Sequence, residues 1–257
     1  MKDMLRKAAA AAALLLCIPG LSGCAKAETP PQVLGDLAWS EAAEEAACTV
    51  LLPEGAQLVP YLVLTKNYGG TGCALLLRET VLPEPYIFNP NENYGAYYEN
   101  SAADVYLQET FAAALGVTPE TVPVEITACD SLHGQGQTVV TIQRQVFLLS
   151  ALEAGCGSGR TFLGEGNPMA WFEDPDHRIA RTETGDAVTW WLRTPCAWYD
   201  NVVCCVNTEG VMVFCGLGGI TEADSRFFLR PALCLPADTK VVRNPNGTYE
   251  LKEDIAG

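Results

Sequence analysis

The sequence predicts an α+β domain, a twisted and mostly antiparallel sheet carrying two helices. Three observations lead there. Between Thr189 and Leu235 the chain repeats short β-rich runs separated by tight turns: Trp190–Leu192, Val202–Val206, Val211–Cys215 and Phe228–Leu235. Runs of that length and composition read as strands of one sheet. Upstream, Leu58–Thr65 and Cys73–Arg78 flank Asn67-Tyr68-Gly69-Gly70-Thr71-Gly72, the pattern of a hairpin. Finally, Ser101-Ala102-Ala103-Asp104 and Ser150-Ala151-Leu152-Glu153 are capping-box starts, one before Ala102–Leu115 and one for a helix beginning near Ala151.

The elements follow in chain order. Lys2, Arg6 and Lys7 precede an apolar run, Ala8–Ile18. Its 11 residues fall short of the about 20 that span a bilayer and suit a signal peptide over residues 1–23. Leu21-Ser22-Gly23-Cys24 then resembles a bacterial lipobox. The resemblance implies that Cys24 receives a diacylglycerol thioether and becomes the new N-terminus. The protein would then be held on the extracytoplasmic face of the cell membrane, where two acyl chains make a stable anchor. The plainer reading is an ordinary secretory peptide with an incidental Cys. Residues 24–47 read as the lipidated Cys and a tether with Thr29-Pro30-Pro31 and little to bury. Within it Ser40–Ala47 suits either a helix capped by Ser40 or a frayed lead-in.

The folded domain is expected over residues 48–251, with 252–257 as a tail. Thr49–Leu52 opens the sheet. Gly116 is placed to end the first helix. Val124–Thr127 and Val139–Leu149 are strand-like, and Gly155–Asp186 reads as an insertion rich in Gly, Pro and charge.

Composition narrows the function. The net charge of −15 makes nucleic acid and anionic lipid surfaces poor electrostatic partners. Of 11 cysteines, nine lie beyond Cys24. Disulfides suit a secreted chain, yet most of the nine sit in apolar runs where Cys behaves as a small hydrophobe. Reduced, buried thiols are the favoured reading. Cys204 and Cys205 are adjacent, so on a strand they point to opposite faces. No C-x-x-C occurs, and no metal or cofactor is implied. His133 and His177 are the two histidines, and no local motif pairs either with a Cys nucleophile. His177 lies beside Asp174 and Asp176, a polar cluster that either ligates a metal or is solvated.

The most binding-like stretch is Pro83–Asn100, which interleaves Tyr86, Tyr94, Tyr97 and Tyr98 with Asn residues. Trp198, Tyr199 and Asn201 extend the set from the loop after Pro195. Such residues offer rigid faces and adaptable hydrogen bonds, although the default fate of an aromatic is burial. Trp190 and Trp191 alternate faces, which puts one in the core and leaves the other to line a groove. Arg193 and Arg230 each follow an apolar run and need carboxylate or carbonyl partners.

Several of these segments together carry a resemblance. Trp190-Trp191-Leu192-Arg193 with Pro195, then Val206 and Gly210, then Arg230-Pro231-Ala232-Leu233 with Leu235 are similar to an uncharacterised bacterial family, domain of unknown function six-two-seven-three. Ala74–Leu82 and Gln145–Ser150 extend the likeness. Thr194 stands where the family has Ser, Phe228-Leu229 where Gly-Val is commoner, and Asp104 where its first helix has Arg. The family is similar to C-type-lectin-like folds, including the formylglycine-generating branch. That branch would need a copper-binding Cys pair, and Cys196 with Cys204 or Cys205 does not match its spacing. No Glu-Pro-Asn or Gln-Pro-Asp run for calcium-borne sugar is present. The resemblance therefore implies a non-catalytic, membrane-tethered recognition module for an extracellular glycan or peptide. A metal oxidase or Cys hydrolase, and a structural envelope protein, are the alternatives.

Overall fold

A computed structural model describes residues 31–42, 48–90, 95–129, 136–157, 162–213 and 222–252. Cys24, Tyr94, His133 and Cys215 lie outside the described residues.

The predicted hairpin forms. Strands β1 (Thr49–Glu54), β2 (Gln57–Thr65) and β3 (Cys73–Arg78) pair antiparallel in sequence. β1 alternates buried and half-exposed positions, as a strand with one covered face does, whereas Ala74–Arg78 of β3 are buried at every position. An uninterrupted apolar run is what a strand with two covered faces requires. Then come β4 (Pro85–Ile87), the hairpin β5 (Val122–Cys129) with β6 (Gln137–Arg144), and β7 (Val146–Phe147). The short strands β8 (Ala180–Arg181) and β9 (Ala187–Val188) pair with each other. β10 (Trp190–Pro195), β11 (Val203–Val206), β12 (Met212–Val213) and β13 (Arg226–Phe228) cover the signature segment. β14 (Ala232–Pro236), β15 (Val241–Arg243) and β16 (Tyr249–Leu251) close the chain.

Two larger sheets hold most of these strands, while β5–β6 and β8–β9 form two-stranded sheets of their own. Of the larger pair, one runs β15-β16-β1-β2-β3-β14-β7, the other β12-β11-β10-β13-β4. Pairing is antiparallel except at β1 with β16 and β10 with β13. The architecture is α+β-like and mostly β.

Residues 102–114 form the predicted first helix, α1, in which Tyr106–Phe111 widen to π geometry. Ser101 Oγ accepts from Asp104 N at 3.1 Å, and Leu107 and Phe111 turn into the core. The helix ends at Leu115, whose backbone is extended. A side chain at Gly116 would collide with the Pro53 ring at 2.6 Å.

Three expectations need correction. No helix begins at Ala151. The Ser150–Glu153 box forms in both directions at 3.0 Å, but the chain makes a single turn and leaves at Gly155 with φ +68°. The core starts before Cys48, because Leu34, Leu37 and Ala38 are fully buried. Ser40 and Glu41 sit in a turn, and residues 43–47 lie outside the described residues. Trp190 and Trp191 are both completely buried, as are Cys204 and Cys205 to within 1%. The reason is shared: β10 and β11 are covered on both faces. Trp190 Nε1 donates to Arg178 O on one side and Trp191 Nε1 to Tyr86 O on the other, each at 2.9 Å.

Candidate functional site

The two aromatic-rich loops meet. Ala96 N donates to Asp200 O at 2.9 Å, and the Tyr97 hydroxyl donates to Asp200 Oδ1 at 2.8 Å. Gln137, at the start of β6, reaches both, giving its amide to the Tyr97 oxygen at 3.3 Å and to Cys196 O at 3.1 Å. The far end of the turn is tied by Cys196 N to Val202 O at 2.8 Å and by Ala223 N to Asn201 O at 2.7 Å. The segment 196–202 is thus clamped at its base while its tip projects. Trp198 is 59% exposed and Tyr199 53%.

The expected contact residues therefore divide. Trp198 and Tyr199 present their rings to solvent. Tyr97 and Asn201 belong to the clamp, Tyr97 by its hydroxyl and Asn201 by its carbonyl. Burial first, then bonding to Cys129 and Asp200, pushes the Tyr97 hydroxyl well above its ordinary pKa, so it stays a donor. Tyr98 does not reach the surface: it is fully buried, packs on Phe88, and its oxygen accepts from Leu148 N at 3.3 Å. Tyr86 stacks near Tyr106 at 4.7 Å and lines a separate hollow of 300 Å³ with Pro90 and Arg226. Sequence reasoning missed Asp200 and Gln137. Asp200 follows Trp198-Tyr199 directly and was legible as an acid beside aromatics; Gln137 carries no local signal.

The signature residues hold the scaffold. Arg193 is fully buried and bidentate with Glu153 at 2.6 and 3.1 Å, and also donates to Leu148 O and Glu125 O. Burial alone would lower its pKa, but Glu153 beside it more than reverses that. A second buried acid, Glu165, lies 3.4 Å from Arg193 and accepts from Thr127 N and the Thr194 hydroxyl. One guanidinium faces two carboxylates, and burial holds Glu165 above the ordinary carboxyl range. Asp104 is itself paired with Arg144 through two bonds of 2.8 Å. Arg230 donates to Arg78 O and Glu79 O, and Pro231 O accepts from Arg78 N.

Four of the thiols are held protonated, Cys156, Cys204, Cys205 and Cys234. Cys73, Cys156, Cys196, Cys204, Cys205 and Cys234 are free. Burial pushes Cys156 up to about 11, Cys205 to about 12, and Cys204 and Cys234 upward as well. A nucleophilic thiolate needs the opposite shift. Asp174 caps the short 3₁₀ turn Pro175–Arg178 through Asp176 N, and His177 Nδ1 bonds Trp171 O at 2.6 Å. Among the described residues no group of three His, Cys, Asp or Glu side chains is gathered to hold a metal ion. Nor is any described helix long and apolar enough to cross a membrane.

The family model described as Domain of unknown function (DUF6273) matches residues 71–237, well over half of the chain, and the protein belongs to that family. The match runs from the start of β3 through β14 and so takes in the signature segment, α1 and the clamped loop. Comparison with curated proteins and with solved structures finds no match.

Proposed function

We propose that this protein is a recognition module with a C-type-lectin-like architecture. It is tethered on the extracytoplasmic face of the membrane by lipid on Cys24 and binds a glycan or peptide through Trp198 and Tyr199. The observation that carries the reading is two large aromatics, each more than half exposed, on a loop whose base is clamped from three directions. Exposed rings on a fixed loop bind with little loss of conformational freedom, and stacking suits a sugar ring or an extended backbone. The raised thiols speak against a Cys hydrolase at those positions. The first and last described strands of the domain, β1 and β16, pair side by side. This leaves the intervening loops to vary on a rigid base, the usual arrangement for a binding surface.

The test is a glycan and peptide array probed with the wild-type chain and with Trp198→Ala. The expected result is binding by the wild type, loss of signal in the variant, and a melting temperature unchanged within about 1 °C, since an exposed ring contributes little to stability. Loss of folding in Trp198→Ala, or an undiminished array signal, overturns the reading.

A further inference from the structure

A cleft of 690 Å³ lies between the β8–β9 segment and the residues around Arg230, with no residue in common with the Trp198 loop. Two of its lining residues carry buried donors without an acceptor among the described residues: Arg230 Nη1 and Trp171 Nε1. Each is exceptional among its kind. The buried Arg193 and Arg78 are both matched by carboxylates, whereas Arg230, 3% exposed, has carbonyl oxygens at Nε and Nη2 and the Trp190 ring 5.3 Å from its guanidinium carbon, with no carboxylate among the described residues bonded to it. The ring nitrogens of Trp190 and Trp191 each have a carbonyl at 2.9 Å, whereas that of Trp171 has none. A buried donor left unpaired is costly, more so when charged, and two on one cleft define what would complement them. Burial lowers Arg230 to about 10, which still leaves it a cation at neutral pH.

We propose that this cleft is a binding site for a small carboxylate of the amino-acid or short-peptide type, its oxygens accepting from Arg230 Nη1 and Trp171 Nε1. The cation selects an anionic acceptor. Glu79, Asp176 and Glu183 also line the cleft and outnumber its two arginines, Arg230 and Arg181, which disfavours a doubly charged phosphate and suits a ligand carrying its own ammonium group. Leu62 and Ile179 supply apolar wall for a short side chain. Both donor atoms are shielded from solvent, so a ligand reaches them by a side-chain shift at the wall. The Trp171 ring lies between His177, stacked at 3.9 Å, and Trp39, edge-on at 4.7 Å, so a ligand at its nitrogen changes the surroundings of this ring. Its fluorescence is then a direct reporter.

The experiment titrates the full chain with acetate, trialanine and trialanine amide, followed by tryptophan fluorescence and calorimetry. Trialanine should saturate, and the amide should bind at least about tenfold more weakly, the loss of a charge-assisted bond. Saturation by acetate as well would make the carboxylate alone sufficient. Trp171→Phe keeps the stacked ring and removes the donor, and should weaken trialanine by about tenfold. Arg230→Gln, which removes the cation, should abolish the preference for the acid over the amide; if that variant fails to fold, Trp171→Phe carries the test. Absence of saturation by either acid up to about 10 mM, or equal binding of acid and amide, overturns the proposal. So does full affinity in Trp171→Phe. The Trp198 reading is untouched by any of these outcomes, because it rests on different residues.

Discussion

At the scale of single residues, the family signature is an account of buried charge. Arg193 sits in the core because Glu153, arriving from the aborted helical turn, pairs with it there and Glu165 lies 3.4 Å away. Removing Glu153 takes away both of its short bonds and leaves the dry guanidinium with Glu165 alone, at 3.4 Å. Glu153→Gln should therefore lower the unfolding free energy by about 3–5 kcal/mol in a urea titration. Glu183→Gln removes a carboxylate that is 55% exposed from Arg78, which keeps Glu54. That change should cost less than about 1 kcal/mol, and equal losses in the two variants would refute the distinction. The thiols give a second prediction. Their folded pKa values lie above the ordinary thiol value of 9.0, at about 11 for Cys156 and about 12 for Cys205. The unfolded chain thus releases protons that the folded chain retains. The stability they contribute is complete below pH 9 and is lost as pH rises through 11 to 12. Urea midpoints should fall across that window, and Cys205→Ala should make the fall shallower. A flat profile would show the thiols to be accessible.

At the scale of elements, what was legible was whatever the chain encodes locally. The β1–β3 hairpin and α1 carry their own periodicity, caps and turn glycines, and all form close to their expected limits. The helix at Ala151 carries an equally good capping box, yet makes a single turn. The difference is tertiary: Glu153 is drawn to Arg193 and Tyr68, and Gly155 takes a left-handed conformation. Trp190-Trp191 misled for the opposite reason. Alternation says which faces two neighbours take but not whether both faces are covered, and that depends on strands far away in sequence. Gly210 of the signature shows the same dependence. It has φ +75°, and an added Cβ would stand 2.7 Å from Pro175 O, on a turn that Arg178 also grips through Gly210 O. Gly210→Ala should therefore cost more than the about 1 kcal/mol typical of a strained Gly position. Gly185→Ala, at φ +92° with nothing within 4 Å, carries the strain alone. Thermal melts of the pair should rank Gly210→Ala as clearly the less stable; the reverse order would mean that the packing against Pro175 does not matter.

At the scale of the whole molecule, the candidate site was half visible. Trp198 and Tyr199 stand out in the sequence because a polar, Pro-led loop has no local reason to hold two large aromatics. Their brace could not be read, since Tyr97, Gln137 and Asp200 come from three separate segments. The proposed tether belongs to this scale too, because it decides what the module can meet. A net charge of −15 gives no attraction to an anionic membrane surface, so electrostatics alone would keep the protein in solution. Lipid on Cys24 would overcome that, each buried methylene contributing about 0.8 kcal/mol. The two forces respond differently to salt: screening weakens charge-borne association and leaves acyl insertion intact. In cells making the full chain, the wild type should stay with the membrane fraction after washes in high salt and in carbonate. Cys24→Ser should appear in the soluble extracytoplasmic fraction, with the same melting curve as a chain beginning at residue 25. Retention of Cys24→Ser on membranes through both washes would remove lipid from the account.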